Sequence, residues 1–144
     1  MSTHRIDTPA APPPVGAYPH ARRAGDLLFL SGVGPRKPGT SVIPGVELGT
    51  DGKLLSHDIA AQTHAVMANV RAILEAAGAK WEDLVDVTVY LTDIQADFAT
   101  YNRLYAEYFP DPATQPCRTT VEVGALPTPI AIELKCVAYL GGRS

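Results

Sequence analysis

C-R-T-T-V-E-V (Cys117 to Val123) and I-E-L-K-C-V-A-Y (Ile132 to Tyr139) decide how this chain is read. Side chains alternate between the two faces of a strand, so residues two apart point the same way. Over Ile130 to Leu140, Ile130, Ile132, Leu134, Cys136 and Ala138 make an apolar face, opposite Ala131, Glu133, Lys135, Val137 and Tyr139. Over Arg118 to Val123, Thr119, Val121 and Val123 share one face and Arg118, Thr120 and Glu122 the other. The expectation is two strands joined by a short Gly/Pro loop, with Arg118, Thr120 and Glu133 gathered on one polar side of a sheet.

Working outward, Leu84 to Thr92 alternates in the same way, with Val85, Val87, Val89 and Leu91 on one face. Two stretches instead follow helical spacing. In the first, Ile59, Thr63, Val66, Met67, Val70, Ile73, Leu74 and Ala77 recur at three- and four-residue steps, with Ser56 as the expected N-cap and Gly78 as the stop. In the second, about Gln95 to Phe109, the inner stripe is Phe98, Tyr101, Leu104, Tyr105 and Tyr108, ended by Pro110 and Pro112. Near the start, Tyr18 to Arg23 and Leu27 to Val33 flank Gly25-Asp26 and predict a hairpin. Residues 1–14 read as an extended lead whose first residues are mobile. Residues 34–52 read as a long loop with room for one short strand, a feature often functional in compact domains. A phosphate-loop reading of that loop fails, because Glu47 stands where the first Gly of G-x-x-x-x-G-K-[ST] belongs and Leu54 follows Lys53.

The order β-β-α-β-α-β-β over 144 residues predicts one α+β domain: a single mixed β-sheet with two helices on one face. The remaining face, carrying Arg118, Thr120, Glu133 and Tyr139, is too mixed for an ordinary core. Self-association across it is the economical expectation.

With 46% hydrophobic and 19% charged residues and a net charge of −3, the composition is that of a soluble globular protein. It offers no basic footprint for nucleic acid or an anionic membrane, yet leaves room for a small anionic substrate held by local arginines. Cys117 and Cys136 have neither C-x-x-C nor zinc spacing. Cys136 reads as a small core residue and Cys117 as an inert thiol, and neither secretion nor membrane insertion is expected, for want of an apolar h-region or spanning run. The expected location is cytoplasmic.

Arg118 reads either as a solvated strand-end arginine or as a two-pronged carboxylate clamp. Glu133, flanked by Ala131, Ile132 and Leu134, reads either as half of an ion pair, with Lys135 or across an interface, or as a desolvated acid/base. The residues alone leave both questions open. His57 and His64, seven apart, fall on one face of a helix but too far apart to share a metal, so both read as surface residues and no metal site is expected. Tyr101, Tyr105 and Tyr108 read as core. Ser31-Gly32 lacks the G-x-S-x-G elbow of a serine hydrolase.

V-G-A-Y (Val15 to Tyr18), L-F-L-S-G (Leu28 to Gly32) and F-A-T-Y-N (Phe98 to Asn102), with the two strands quoted first, resemble the Rid family of reactive-intermediate deaminases. The resemblance runs from about Pro12 to Leu140. It implies a homotrimer of chorismate-mutase-like subunits, intersubunit sites for a small anionic substrate, and no cofactor. Arg118 and Glu133 match the family's imine-hydrolysing arginine and its glutamate, and Tyr18, Ser31 and Asn102 match its substrate-binding tyrosine, serine and asparagine. Thr120 departs from the pattern, standing where the general deaminases carry Cys. Within the family, Pro19 to Gly32, R-K-P (Arg36 to Pro38), A-Q-T (Ala61 to Thr63) and R-T-T-V (Arg118 to Val121) are similar to the 2-aminomuconate deaminases. That similarity implies hydrolysis of 2-aminomuconate to 4-oxalocrotonate and ammonia in aromatic catabolism. The alternatives are a broad 2-enamine/2-imine acid deaminase and a non-catalytic ligand-binding trimer. Arg36 and Lys37, in the long loop, are available for a second carboxylate.

Overall fold

A computed structural model describes residues 3–141. Its central sheet has six strands in the order β1-β2-β3-β8-β6-β7. These are β1 (Thr3–Ile6), β2 (Ala21–Ala24), β3 (Leu27–Leu30), β6 (Leu84–Leu91), β7 (Cys117–Glu122) and β8 (Ile132–Tyr139). Only β6 and β7 pair in parallel; every other neighbour is antiparallel. Two helices, α1 (Ile59–Ala76) and α2 (Ile94–Tyr108), cover one face. Leu28, Leu30, Val87, Val89, Leu91, Ile132, Leu134, Cys136 and Ala138 are each at most 1% exposed. They form one core with Val66, Met67, Val70, Ile73 and Leu74 of α1 and Tyr101 and Tyr105 of α2.

The α+β architecture of a mixed sheet under two helices is the expected one, enlarged by three strands. Within the lead, Thr3 to Ile6 pairs with β2 rather than running free. The reason is local, since the prolines begin only at Pro9 and leave these backbone donors available. The expectation that the first residues are mobile concerns Met1 and Ser2, outside the described residues. Beyond them, the loop holds β4 (Val46–Leu48), which pairs with β5 (Leu54–His57) in a separate two-stranded ribbon. Helix α1 is capped by Asp58 rather than Ser56, because Ser56 lies within β5; Asp58 Oδ1 accepts from the Ala60 and Ala61 amides at 3.0 and 3.2 Å. Gly78 ends the helix as expected, at φ +74°.

Two departures bear on the site. Val85 is 42% exposed instead of inward, because the register slips between Leu84 and Asp86 and leaves it in a bulge. His57 is on β5, not on the helix with His64, and is not a surface residue. Its Nε2 lies 2.6 Å from Asp97 Oδ2 on α2, with side-chain exposures of 14% and 7%. This contact ties the ribbon to the helix layer. Replacing His57 by Ala leaves the Asp97 carboxylate buried without its partner, and stability falls by about 3 kcal/mol. Urea unfolding reads this as a lower midpoint at unchanged slope.

Candidate active site

The register places Arg118 and Glu133 on opposite faces of the sheet. Val87 pairs with Arg118, Val89 with Thr120 and Leu91 with Glu122, and those three β6 residues face the helices. Arg118, Thr120 and Glu122 therefore lie under α2, not on the open face with Glu133, Val137 and Tyr139. The physical reason is that β7 is an edge strand beyond the main core. Its polar set is held by partners from α2, and Val121 is left 37% exposed on the open side. Thr120 Oγ1 meets the Tyr101 hydroxyl at 2.7 Å, and Glu122 Oε1 accepts from the Ile94 amide at 2.9 Å.

Arg118 is the centre of the first half-site. Its Nη1 donates to Asn102 Oδ1 at 2.8 Å. The guanidinium lies over the rings of Tyr105 and Tyr101, 4.7 and 5.5 Å from their centroids. No carboxylate forms an ion pair with it among the described residues. Burial pushes the Tyr105 phenol above its ordinary range, so both rings stay neutral beneath the cation. Asn102 here orients the arginine, and Tyr101 and Tyr105 form its aromatic bed. Their spacing of four on a helix signals only a core stripe, so sequence reasoning gave them no part in the site.

The second half-site lies on the open face. Glu133 is half-buried and makes no ion pair among the described residues; Lys135, its suggested partner, turns its Nζ to the Leu30 carbonyl oxygen instead. Burial holds the Glu133 carboxyl above the usual carboxylate range. Its protonated form therefore persists to higher pH than in an exposed glutamate, and proton donation by it weakens as pH rises through that raised value. By linkage, the folded chain also loses stability as pH climbs from the ordinary carboxylate pKa to the raised one. Tyr18, Ser31 and Gly32 line a cavity of about 50 Å³, and of these Gly32 also adjoins the Glu133 carboxyl. Ser31 Oγ donates to the Pro19 carbonyl at 2.7 Å, and the Tyr18 hydroxyl accepts from the Val15 amide at 3.2 Å.

Gly32 was not among the sequence candidates, and its role is steric. A Cβ there would stand 2.7 Å from Glu133 Oε2 and 3.0 Å from its Cδ. Gly32→Ala pushes aside the end of a flexible side chain without disturbing backbone. The expected result is a folded protein whose turnover is about 100-fold lower, because misplacement by an ångström costs that much. Circular dichroism and steady-state rates on one preparation separate the two effects.

The two half-sites do not meet within one chain. Glu133 pairs with Tyr90, three residues along β6 from the partner of Arg118, and β6 separates the two strands. At strand spacings of 4.7–4.9 Å and about 3.3 Å per residue, their Cα atoms are roughly 14 Å apart, with side chains on opposite faces. Among the described residues, no cluster of three or more His, Cys, Asp or Glu could hold a metal ion. No helix among them is long and apolar enough to cross a membrane.

Fold and site together define a class: an α+β chain, two helices on a mixed sheet, with an arginine on the edge strand that has no ion pair among the described residues and a half-buried glutamate two strands away. The sequence model of the family described as endoribonuclease L-PSP matches residues 8–140. The chain belongs to that family, which includes the RutC and Rid proteins. It is 42% identical over 134 residues to a RutC family protein of Pyrococcus horikoshii, covering 93% of this chain and 95% of that one. It is 37% identical over 134 residues to the 2-iminobutanoate/2-iminopropanoate deaminase of Escherichia coli K12, covering 92% and 94%. Among solved structures, E. coli TdcF with bound serine superposes with a TM-score of 0.81 at 33% identity, covering 98% of this chain and 99% of that one.

Proposed function

We propose that the protein hydrolyses 2-imino acids and their enamine tautomers to 2-oxo acids and ammonia. The observation that carries this is the pair Arg118 and Glu133: two half-buried ionisable side chains, each without an opposite charge among the described residues. An unpaired guanidinium over two rings suits a substrate carboxylate. An unpaired carboxyl whose pKa is raised by burial suits proton delivery. The E. coli relative named as an iminobutanoate and iminopropanoate deaminase supports the same chemistry, and the relative solved with serine supports a ligand of amino-acid size.

Arg118 pins the carboxylate next to the C=N bond. Glu133 gives a proton to the enamine carbon or the imine nitrogen, then as carboxylate draws a proton from a water attacking the imine carbon. The new C–O bond makes a carbinolamine. As it collapses, the hydroxyl proton passes to nitrogen, the C–N bond breaks, and ammonia and the 2-oxo acid leave. Atoms and electrons balance without an oxidant.

Because the half-sites lie on opposite faces, we read the active unit as a homotrimer in which one subunit brings Arg118, Thr120 and Asn102 and its neighbour brings Glu133, Tyr18 and Ser31. Leu27, Phe29, Val85, Val121 and Tyr139, all at least 37% exposed, supply apolar surface for that assembly. The net charge of −3 suits no polyanion, so RNA cleavage, the activity in the family's descriptive name, is not our reading. The narrower assignment is 2-aminomuconate, giving 4-oxalocrotonate, with Thr120 setting the site apart from cysteine-bearing relatives. Ammonia release from 2-iminobutanoate generated in situ, set beside ultraviolet loss of 2-aminomuconate, tests both levels. Turnover of the first alone retains the broad activity and removes the narrow one, whereas turnover of neither removes the deaminase reading.

A further inference from the structure

Arg36 lines the same cavity as Tyr18, Ser31 and Gly32. Among the described residues it is the one permanently charged residue of the lining, to which no Asp, Glu or Lys contributes. The loop that carries it is fixed rather than loose. Asn69 Nδ2, on the buried side of α1, donates to the carbonyls of Gly34 and Arg36 at 2.9 and 2.8 Å. One guanidinium nitrogen of Arg36, Nη2, donates to the Pro13 carbonyl at 2.6 Å, and Nη1 and Nε, without a hydrogen-bond partner among the described residues, remain to bind an anion. Lys37, its neighbour, is exposed and outside the cavity.

The lead that forms the wall opposite has anchors besides the Arg36 contact with Pro13. The Thr8 amide donates to His20 Nδ1 at 3.2 Å, and His20 Nε2 donates to the Pro12 carbonyl at 2.7 Å. The neutral imidazole thus spans the lead on both sides of residues 9–11. The free volume is about 50 Å³. At about 10–15 Å³ for each water-sized group, that takes roughly three to five heavy atoms, enough for a carboxylate. On the far side of Gly32 stands the Glu133 carboxyl.

We infer that Arg36 anchors a second substrate carboxylate, distal to the reacting carbon, and that the preferred substrates are 2-imino or 2-enamino dicarboxylates. The inference rests on the reading of Glu133 as the acid/base of this site. Arg118 holds the carboxylate next to the imine, and Arg36 holds the one at the other end of the chain. A monocarboxylate leaves Arg36 facing water and forgoes one charge-assisted contact.

The test compares wild type with Arg36→Gln, which keeps a donor for the Pro13 carbonyl but removes the charge, and with Arg36→Lys, which keeps the charge. Binding of 2-oxoglutarate and 2-oxobutanoate, two product-like acids differing at the distal end, is measured by calorimetry. Turnover is measured on 2-iminoglutarate and 2-iminobutanoate made in situ. The wild type is expected to prefer the dicarboxylates. In Arg36→Gln the dicarboxylate-to-monocarboxylate ratio of kcat/KM falls about 10- to 100-fold, through KM, with a parallel loss in the binding ratio, and Arg36→Lys retains part of both. An equal loss for both acids, or no preference in the wild type, overturns the inference. If neither imine turns over but the binding preference depends on Arg36, the anchor stands and the deaminase reading falls.

Discussion

Glu133→Gln lowers kcat for ammonia release by about 100- to 10,000-fold, the range that a positioned general acid or base contributes. The amide is nearly the same size as the carboxyl, so the half-buried position beside Gly32 stays filled and the fold is retained. What is lost is the proton. The wild-type rate falls as pH rises through the raised pKa of Glu133, because the acid form is the donor. In Glu133→Gln the residual rate no longer follows that limb. A pH profile therefore separates loss of the proton donor from local damage, which would lower the rate at every pH and leave the limb in place.

Arg118→Ala lowers kcat/KM by about 100- to 1,000-fold, and the loss lies mainly in KM. A clamp on a carboxylate that does not itself react binds ground state and transition state alike. Arg118→Lys recovers only part of the loss. The planar guanidinium lies over Tyr105 and Tyr101 while Asn102 takes one of its donors, and an ammonium cannot reproduce that fork. Steady-state kinetics on both variants, with assembly checked by light scattering, tests the division of labour. A loss in Arg118→Ala confined to kcat would show that the arginine acts on the reacting centre rather than on the carboxylate.

Much of this fold is legible in the alternation of β8 and the spacing of α1 and α2, because apolar period and burial agree there. Ile132, Leu134, Cys136 and Ala138 alternate apolar with polar, and all four are buried. The agreement ends at β7. Alternation groups Arg118 with Thr120 and Glu122, but it does not say which face of an edge strand a helix will cover. Partners from α2, the Tyr101 hydroxyl for Thr120 and the Ile94 amide for Glu122, make the polar face the covered one. The strand Thr3 to Ile6 is not legible in the sequence, and the one at Val46 to Leu48 only as an unplaced short strand in the loop, because strands this short carry little periodic signal. The Arg118 and Glu133 identities were legible from sequence, whereas their separation depends on the register of β6 with both neighbours.

One chain cannot bring the two residues to one substrate, and the proposed trimer requires that two chains do so. Subunit mixing tests it directly. Arg118→Ala and Glu133→Gln proteins, each nearly inactive alone at substrate concentrations well below KM, are unfolded together in equal amounts, refolded and assayed at those concentrations. If each site takes Arg118 from one subunit and Glu133 from the next, every mixed trimer regains one intact site. Random mixing then restores about a quarter of the wild-type activity. If both residues serve the same site from the same subunit, the mixture stays as inactive as its parents, and the account is contradicted.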